Sequence, residues 1–225
     1  MESYKQQFIE FMVESNVLMF GDFVTRSGRN TPFFINTGKY ETGRQMQKLG
    51  QFYAQTIAAS VGDDIDFLYG PAYKGIPLSV AAAIGLADKF NRDLSFCFNR
   101  KEAKDHGEGG SLIGHKPVDG ERVVIVEDVT TAGTSIRESV ALLGSAAKVR
   151  FTGVIVSVDR MEKGATSDKS AIQEIRAEFG IPVYPIVTLD EIVDHLYERE
   201  IGGRVVVDSA VKAKIDDYRN RYGAA

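Results

Sequence analysis

The 225-residue chain has one cysteine, Cys97, and therefore cannot form an internal disulfide framework. A single cysteine is typical of proteins from a reducing compartment. No apolar run approaches the ~18 residues that span a bilayer, and residues 1–7 carry no basic, apolar targeting signal. The net charge of −4 gives no general attraction to nucleic acid or to anionic membranes. We therefore expect a cytoplasmic protein that binds neither nucleic acid nor membrane.

Length and composition are those of one globular domain. The chain is 44% apolar and 26% charged, which supplies enough apolar side chains for a normal core. It contains no internal repeat and no low-complexity linker. We therefore expect residues 1–225 to form a single domain, in which about 1–40 contribute a small N-terminal hood made of a helix and a hairpin.

Strand-like and helix-like segments alternate from residue 42 onward. Short apolar runs predict strands at 65–69, 94–98, 123–126, 151–158 and 183–187. Apolar residues spaced by three and four predict helices that begin at Thr42 and Ile76, and others over 136–143, 171–179, 192–197 and 211–222. This alternation predicts an α/β fold with a central, mainly parallel sheet and helices on both faces.

The most informative stretch is V-V-I-V-E-D-V-T-T-A-G-T-S at 123–135. Its four β-branched residues predict a strand that is buried on both faces, and open α/β sheets bind ligands at the carboxyl ends of such strands. Glu127 and Asp128 stand there side by side. The hydroxyl-rich turn at 130–135 leads into a helix whose first N–H groups can bind phosphate. Carboxylates beside a phosphate-binding turn indicate a sugar phosphate whose hydroxyls the acids hold.

A second turn, G-P-A-Y-K-G at 70–75, also joins a predicted strand to a helix, and we call it the glycine turn. Its spacing is that of a nucleotide-binding P-loop, but Ile76 and Pro77 replace the required Lys and Ser/Thr, which argues against that class. Glycine at both ends lets the backbone approach an anion, and Lys74 adds positive charge. Two such turns suit a substrate with phosphate at one end and pyrophosphate at the other.

A cationic, glycine-rich segment, N-R-K-E-A-K-D-H-G-E-G-G, occupies 99–110, and we call it the cationic loop. Ordinary solvated surface loops have a similar composition. This one, however, concentrates Arg100, Lys101, Lys104 and His106 within seven residues, which suits a lid over a polyphosphate. Such charges would stabilise a departing pyrophosphate, and closure of the loop would exclude water.

These motifs together resemble the type I phosphoribosyltransferases, whose thirteen-residue signature binds phosphoribosyl pyrophosphate (PRPP). The cationic loop is similar, more specifically, to the catalytic loop of the orotate phosphoribosyltransferases. The similarity extends to S-G-R-x-x-P-x-F at 27–34, G-P-A-Y-K-G-I-P at 70–77 and V-D-R at 158–160. The resemblance implies a type I phosphoribosyltransferase fold. It also implies transfer of ribose 5-phosphate from PRPP to orotate, giving orotidine 5′-monophosphate and pyrophosphate in pyrimidine (UMP) biosynthesis.

The resemblance further implies roles for individual residues. PRPP would contact Arg26, Tyr73, Lys74, Arg100, Lys101, Lys104, His106, Glu127, Asp128, Val129, Thr130, Thr131, Ala132, Gly133, Thr134 and Ser135. Orotate would contact Phe34, Ile35, Thr131 and Arg160. The catalytic residues would be Lys101, Lys104, His106 and Asp128, with Lys101 completing the neighbouring site of a homodimer. The cofactor would be Mg²⁺, held mainly through PRPP and water rather than directly by the protein.

Two positions depart from the family pattern. Arg26 stands where lysine is usual, and the two side chains are not equivalent donors. Ile35 stands where a second phenylalanine is usual. The isoleucine is harmless if this position contributes its backbone, but ring stacking is lost if it contributes its side chain.

Two alternative functions fit part of the pattern. Another type I phosphoribosyltransferase would share residues 123–135 but would lack the orotate-type cationic loop and Arg160. A non-catalytic, PRPP-sensing regulator of nucleic acid would carry an added basic module and would tolerate a degraded loop. The acidic composition and the retained cations of the loop argue against the regulator.

Overall fold

The computed structural model describes residues 1–25, 28–101, 111–129, 133–164 and 167–224. Within them, the helices are α1 (Ser3–Glu14), α2 (Gly43–Ser60), α3 (Gly75–Phe90), α4 (Thr134–Ala146), α5 (Ala171–Phe179), α6 (Leu189–Leu196) and α7 (Ser209–Tyr222). The strands are β1 (Leu18–Val24), β2 (Asn30–Ile35), β3 (Phe67–Gly70), β4 (Ser95–Asn99), β5 (Leu112–Gly114), β6 (Arg122–Val126), β7 (Arg150–Asp159), β8 (Val183–Thr188), β9 (Glu200–Ile201) and β10 (Arg204–Val205). A 3-10 turn, Thr37–Lys39, follows β2.

The main sheet is mostly parallel, as the alternation of segments predicts. Its order in the described residues is β5-β4-β3-β6-β7-β8. Strands β4, β3, β6, β7 and β8 run parallel to one another, and β5 at the edge pairs antiparallel with β4. Because the parallel strands share one direction, their carboxyl ends meet at a single edge of the sheet.

Strand β6 is buried on both faces, which confirms the interpretation of its apolar run. Val124 and Val126 belong to the core formed with α1, α2, α3 and α6. Val123 and Ile125 belong to the core on the opposite face, formed with α4 and α5. The period of two in a strand distributes successive side chains between the two cores, so neither face of β6 meets solvent.

Helix starts follow local hydrogen-bonding rules. Thr42, predicted to begin a helix, caps α2: its hydroxyl accepts from the Gln45 N–H, while the Gln45 side chain accepts from the Thr42 N–H. Ser170 and Thr188 form the same reciprocal capping box at α5 and α6. Each box satisfies two N–H groups that the helix itself leaves unpaired.

The N-terminal segments combine a helix with the predicted hairpin. Strands β1 and β2 pair antiparallel in a sheet of their own. Helix α1 packs through Phe8 on Phe52 of α2, with ring centroids 5.1 Å apart. Helix α7 covers the hairpin, where the Tyr218 and Phe33 rings form a T-shaped contact with their centroids 5.9 Å apart. The division of the chain into one domain with a hood over about 1–40 stays a prediction.

The structure adds strands that the apolar runs do not reveal. Strand β5 has three residues, and β9 and β10 have two each, which are too few for a period of two to be recognised. These short strands form because they pair with another strand; β5, for example, is held by hydrogen bonds to β4. Among the described residues, no helix combines the length and the apolar character needed to cross a membrane.

Candidate active site

Four of the segments predicted to bind substrate begin at the carboxyl edge of the main sheet. The glycine turn follows β3, the cationic loop follows β4, Glu127 and Asp128 follow β6, and Arg160 follows β7. These strands are neighbours in the sheet. Four segments that are distant in sequence are therefore brought to one edge by the parallel topology alone.

Glu127 and Asp128 are buried where β6 ends, and their backbone is fixed on both sides. The Glu127 N–H donates to the Ile155 carbonyl of β7 at 2.9 Å, and the Ser157 N–H donates to the Asp128 carbonyl at 2.9 Å. The Tyr53 hydroxyl of α2 donates to the Glu127 carbonyl at 2.8 Å. Helix and sheet together thus hold the two acids in place, so little ordering remains to be done on binding.

Asp128 forms a compact polar cluster with Thr37 and Lys74. The Thr37 hydroxyl donates to Asp128 Oδ2 at 2.7 Å, and Lys74 Nζ donates to the same oxygen at 2.9 Å. Lys74 Nζ also donates to the Thr37 hydroxyl at 2.9 Å. The ammonium therefore lies within direct reach of the predicted ribose-binding acid, at the border between the predicted ribose and pyrophosphate sites.

The environment of Glu127 disfavours its charged form. Burial raises the pKa of Glu127, and the hydroxyl of Ser135 and the N–H of Asp128 oppose that rise only in part. The Asp128 N–H donates to Glu127 Oε1 at 2.9 Å. A carboxylate that lacks full hydration keeps its capacity to accept hydrogen bonds from a ligand, which is characteristic of functional sites.

A cavity of about 190 Å³ opens beside Asp128, lined in part by Tyr40, Tyr53 and Ser157. Asp128 Oδ1 is buried and has no hydrogen-bond partner among the described residues, and the same holds for the Tyr40 hydroxyl. Burial and the charge of Asp128 raise the pKa of Tyr40. An unpaired carboxylate oxygen is unfavourable in a buried setting unless a ligand or a water molecule satisfies it.

The glycine turn is shaped by contacts of its own backbone. A Cβ on Gly70 would lie 2.1 Å from the Gly75 carbonyl oxygen, and one on Gly75 would lie 2.6 Å from the Pro71 ring. The glycines are thus needed to close the turn on itself, a more specific reason than the predicted approach to an anion. The peptide bond between Ala72 and Tyr73 is cis. Tyr73 is 71% exposed at the surface of the turn.

Asn99, the last residue of β4, ties the glycine turn to the start of the cationic loop. Its Oδ1 accepts from the Ala72 N–H at 2.7 Å and from the Tyr69 hydroxyl at 3.1 Å. In the loop itself, the Arg100 N–H donates to the Ser111 carbonyl at 2.8 Å. The Lys101 ammonium lies 5.3 Å from the centroid of the Tyr73 ring, a cation–π contact. Lys104 and His106 lie outside the described residues.

The predicted phosphate-binding turn is described at both of its ends. Val129 follows the acids, and Gly133 adopts φ 68° immediately before α4, whose first residues are Thr134 and Ser135. The first N–H groups of a helix have no intrahelical partner and carry the positive end of its dipole, so this helix start suits a phosphate. Thr130, Thr131 and Ala132 lie outside the described residues, as does Arg26.

Arg160 lies just beyond β7, against β2. Its guanidinium is 4.5 Å from the centroid of the Phe33 ring, and both its Nε and Nη2 donate to Glu162 Oε1, at 3.0 and 2.6 Å. Phe33 is fully buried, whereas the adjacent Phe34, predicted to contact orotate, stacks on Phe23 at 5.5 Å. The Ile35 side chain packs against the apolar core, so a ring at that position is not needed for the packing seen here.

Several residues of the site escape prediction from the sequence. Thr37, Tyr53, Asn99, Phe33 and Glu162 each contact a predicted site residue, or the segment that carries one. Thr37 and Asp128 are separated by 91 positions, and Tyr53 and Glu127 by 74. Only Glu162, two positions after Arg160, offers a local signal, because an acid so near an arginine can pair with it.

Comparison with known proteins identifies the family. A family model described as "Phosphoribosyl transferase domain" matches residues 36–185. An orotate phosphoribosyltransferase from Clostridium acetobutylicum is 56% identical over 223 residues, covering 99% of either chain. The chain belongs to the phosphoribosyltransferase family, among the orotate phosphoribosyltransferases. One from Pectobacterium carotovorum is 48% identical over 224 residues, covering 99% of this chain and 100% of the relative.

Solved structures agree with this family assignment. The crystal structure of an orotate phosphoribosyltransferase from Francisella tularensis matches with a TM-score of 0.84 and 38% identity, covering 96% of this chain and 99% of that one. A Leishmania donovani UMP synthase matches with a TM-score of 0.71 and 22% identity, covering 96% of this chain and 42% of that one. The second similarity supports the phosphoribosyltransferase fold alone.

The acid pair has the donor chemistry that Mg²⁺ prefers. Among the residues that the structure describes, no group of three or more His, Cys, Asp or Glu side chains is arranged around a metal site. Mg²⁺ binds oxygen ligands, keeps several waters and commonly relies on one or two carboxylates plus substrate phosphates. Glu127 and Asp128, with the unpaired Oδ1 of Asp128, therefore fit a metal that a polyphosphate substrate and water mainly hold.

Proposed function

We propose that the chain transfers ribose 5-phosphate from PRPP to orotate, forming orotidine 5′-monophosphate and pyrophosphate. The observation that carries this function is the buried acid pair at the end of β6, followed by the start of α4. Full-length relatives that share 48–56% of the sequence are named orotate phosphoribosyltransferases. Acids for a ribose diol and a helix start for its 5′-phosphate are the two elements that PRPP requires.

The reaction requires stabilisation of separated charges. The ribose becomes cationic as the pyrophosphate leaves with its negative charge, so fixed groups that match both charges lower the barrier. We propose that Glu127 and Asp128 hold the ribose hydroxyls, while Val129 to Ser135, including Thr130 to Ala132, bind the 5′-phosphate. Lys74 supports this division of roles, because its ammonium, 2.9 Å from Asp128 Oδ2, can neutralise pyrophosphate without leaving the ribose site.

Pyrophosphate would be held by cations from both loops. We assign this role to Tyr73, Lys74, Arg100, Lys104 and His106, with Arg26 approaching the PRPP end of the site. Lys101 would complete the site of the other subunit in a homodimer, and Lys101, Lys104 and His106 would act in catalysis together with Asp128. The cytoplasmic location predicted from the sequence also stays a proposal.

Orotate would be held by an arginine fork and by the end of β2. We propose that Arg160 pairs with the carboxylate-bearing ring, because a planar guanidinium matches a planar carboxylate in two parallel hydrogen bonds. Phe34, Ile35 and Thr131 would contact the base, Ile35 through its backbone. The burial of Arg160 supports this role, since a hydrogen bond to a charged group is stronger in a partly dehydrated site.

Mg²⁺ is the cofactor we propose, held through PRPP oxygens and water beside Glu127 and Asp128. When bound, the ion neutralises phosphate charge and so supports departure of pyrophosphate. The side chains have separate roles: the two acids orient the ribose, and Lys74 lies on the pyrophosphate side.

Loss of orotate absorbance on addition of PRPP and Mg²⁺ tests the proposal directly. We expect turnover with orotate and none with uracil or hypoxanthine, which separates this activity from that of other phosphoribosyltransferases. Removing a charge that meets the leaving group typically lowers turnover by about 10²–10³-fold, and we expect a loss of that order for Lys104→Ala. The exposed Lys89→Ala, at the end of α3, serves as the matched control. Unchanged turnover of Lys104→Ala would refute the role of the cationic loop.

A further inference from the structure

The guanidinium of Arg160 is restrained in two independent ways. One face lies over the Phe33 ring, 4.5 Å from its centroid. One edge, formed by Nε and Nη2, donates both of its hydrogen bonds to a single oxygen, Glu162 Oε1. The stacking contact fixes the plane of the guanidinium, and the paired hydrogen bonds fix its rotation within that plane. Neither bond to Glu162 uses Nη1, so an edge that contains this nitrogen can serve another carboxylate.

The pair is removed from most solvent. The Arg160 side chain is 10% exposed and the Glu162 side chain is 16% exposed. A surface ion pair would exchange readily with water and would restrain little. A buried, hydrogen-bonded pair holds its geometry, because separating the partners would leave both charges poorly hydrated.

Glu162 is itself held by the surrounding backbone. Its residue forms an antiparallel bridge with Gly223, beyond the end of α7. The next residue, Lys163, donates its N–H to the Tyr222 carbonyl at 2.8 Å. Arg29, in the turn between β1 and β2, donates from Nη1 to the Lys163 carbonyl at 3.1 Å. The carboxylate that orients Arg160 is thus attached to both the C-terminal helix and the hairpin.

We infer that Glu162 is a positioning residue for orotate recognition, acting through Arg160. It fixes the rotation at which the remaining edge of the guanidinium meets the orotate carboxylate. The inference rests on the proposed function, in which Arg160 binds orotate. A role in positioning differs from a role in charge compensation, because positioning depends on where the acceptor oxygen lies, while compensation depends only on negative charge.

Two substitutions separate these roles. Glu162→Gln keeps the length of the side chain and an acceptor oxygen but removes the charge. Glu162→Asp keeps the charge but withdraws the carboxylate by about 1.5 Å, the length of one carbon–carbon bond. Because both hydrogen bonds end on Oε1, the single carbonyl oxygen of glutamine can accept both of them.

If Glu162 acts by positioning, the two variants should differ in their KM for orotate in steady-state assays. We expect Glu162→Asp to raise the KM for orotate about tenfold, with an unchanged KM for PRPP, and Glu162→Gln to stay near the starting protein. Charge compensation predicts the reverse order and would overturn the inference. The exposed Glu14→Gln, at the end of α1, controls for a general effect of charge removal. If the aspartate variant does not fold, a raised orotate KM in the glutamine variant would still overturn the inference.

The variant Arg160→Lys distinguishes two possible errors: a wrong positioning role for Glu162 and a wrong orotate contact for Arg160. Lysine retains the charge but loses the fork, so we expect the KM for orotate to rise. If it does not rise, the orotate contact itself is wrong. If it rises while Glu162→Asp has no effect, only the positioning role is wrong. Adding Glu162→Asp to Arg160→Lys should have less effect than on the native arginine, because residues that act through one another are not additive.

Discussion

Two acids, one near each end of strand β6, are in opposite situations. At its amino end, Asp66 accepts from the Arg122 N–H at 2.8 Å, from Arg122 Nε at 2.8 Å and from Arg122 Nη2 at 2.5 Å. At its carboxyl end, Asp128 Oδ1 is buried and has no hydrogen-bond partner in the described part of the chain. Asp66 precedes β3 and is saturated by Arg122, the first residue of β6, whereas Asp128, which follows β6, keeps an unpaired oxygen.

The pKa of Asp66 and that of Glu127, the other acid at the carboxyl end of β6, are shifted in opposite directions. Hydrogen bonds from Arg122 lower the pKa of Asp66 to about 2. Burial raises the pKa of Glu127, next to Asp128. A carboxylate whose oxygens all accept hydrogen bonds from the protein stabilises the fold but cannot accept more from a ligand. A buried carboxylate with an unpaired oxygen reduces stability but can still accept hydrogen bonds from a ligand. In the proposed function, the carboxyl edge of this sheet binds the ligand, while the pair of Asp66 with Arg122 at the amino edge contributes to stability.

The largest effect we expect is on activity, and it should differ strongly between replacement of Asp128 and replacement of Asp66. We expect Asp128→Asn to lower kcat/KM by about 10- to 100-fold, because a hydrogen bond to a charged group is worth about 1.5–3 kcal/mol. Asp66→Asn, the matched control, should leave kcat/KM of the folded protein unchanged. Equal losses of kcat/KM from both variants in steady-state assays would contradict the contrast between the two acids.

Stability should respond in the opposite order. We expect Asp66→Asn to lower the free energy of unfolding by about 1 kcal/mol, since the pair with Arg122 is a third exposed and solvent screens it. Its Tm should fall by about 2–4 °C. The folded pKa of Asp66 lies below its ordinary value of 3.8, so its contribution is complete above that pH and is lost as pH falls toward 2. Thermal melts that separate the two proteins as widely at pH 2 as at neutral pH would contradict this account.

The smallest effect we expect is a gain in stability from Glu127→Gln. Burial raises the folded pKa of Glu127 above its ordinary value of 4.5. As pH rises above 4.5, the unfolded chain ionises before the folded one, so the native protein loses stability relative to the glutamine variant until pH passes the raised pKa. The Tm of the variant should therefore exceed that of the native protein at neutral pH and match it in acid. A lower Tm at neutral pH would show that the carboxylate stabilises the carboxyl edge instead.

The strands and helices of the main body could be predicted because their signals are local. The run at 123–126 is buried on both faces, and the predicted helix at 171–179 coincides with α5. Apolar residues repeat every two positions in a half-buried strand and every three to four in a helix. Each pattern reflects burial within one element, so it can be recognised in a single segment. Strand β5 could not be predicted, because three residues carry no period and its pairing with β4 defines it.

The candidate site could be predicted only in part, for the same reason. Glu127, Asp128 and Lys74 belong to motifs within single segments, so their residue types and spacing were visible. The partners Thr37 and Tyr53 belong to no motif, and Asn99, the first residue of the cationic loop, gives no sign in the sequence of its contact with the glycine turn. Thr37, for example, meets Lys74 across 37 positions. A hydroxyl or an amide has no special meaning in a sequence until the fold brings it to a charged neighbour.

Motifs and short periods in the sequence were enough to predict a mainly parallel α/β sheet, an acid pair before a turn suited to phosphate, and a cationic loop. Motifs and short-range periods suffice for these, because backbone geometry and local hydrogen bonding specify them. Which acids are saturated, and how Arg160 is restrained between Phe33 and Glu162, could be seen only in the folded structure. Those properties depend on burial and on contacts between distant segments, which set the dielectric surroundings and the hydrogen-bond partners of each charge.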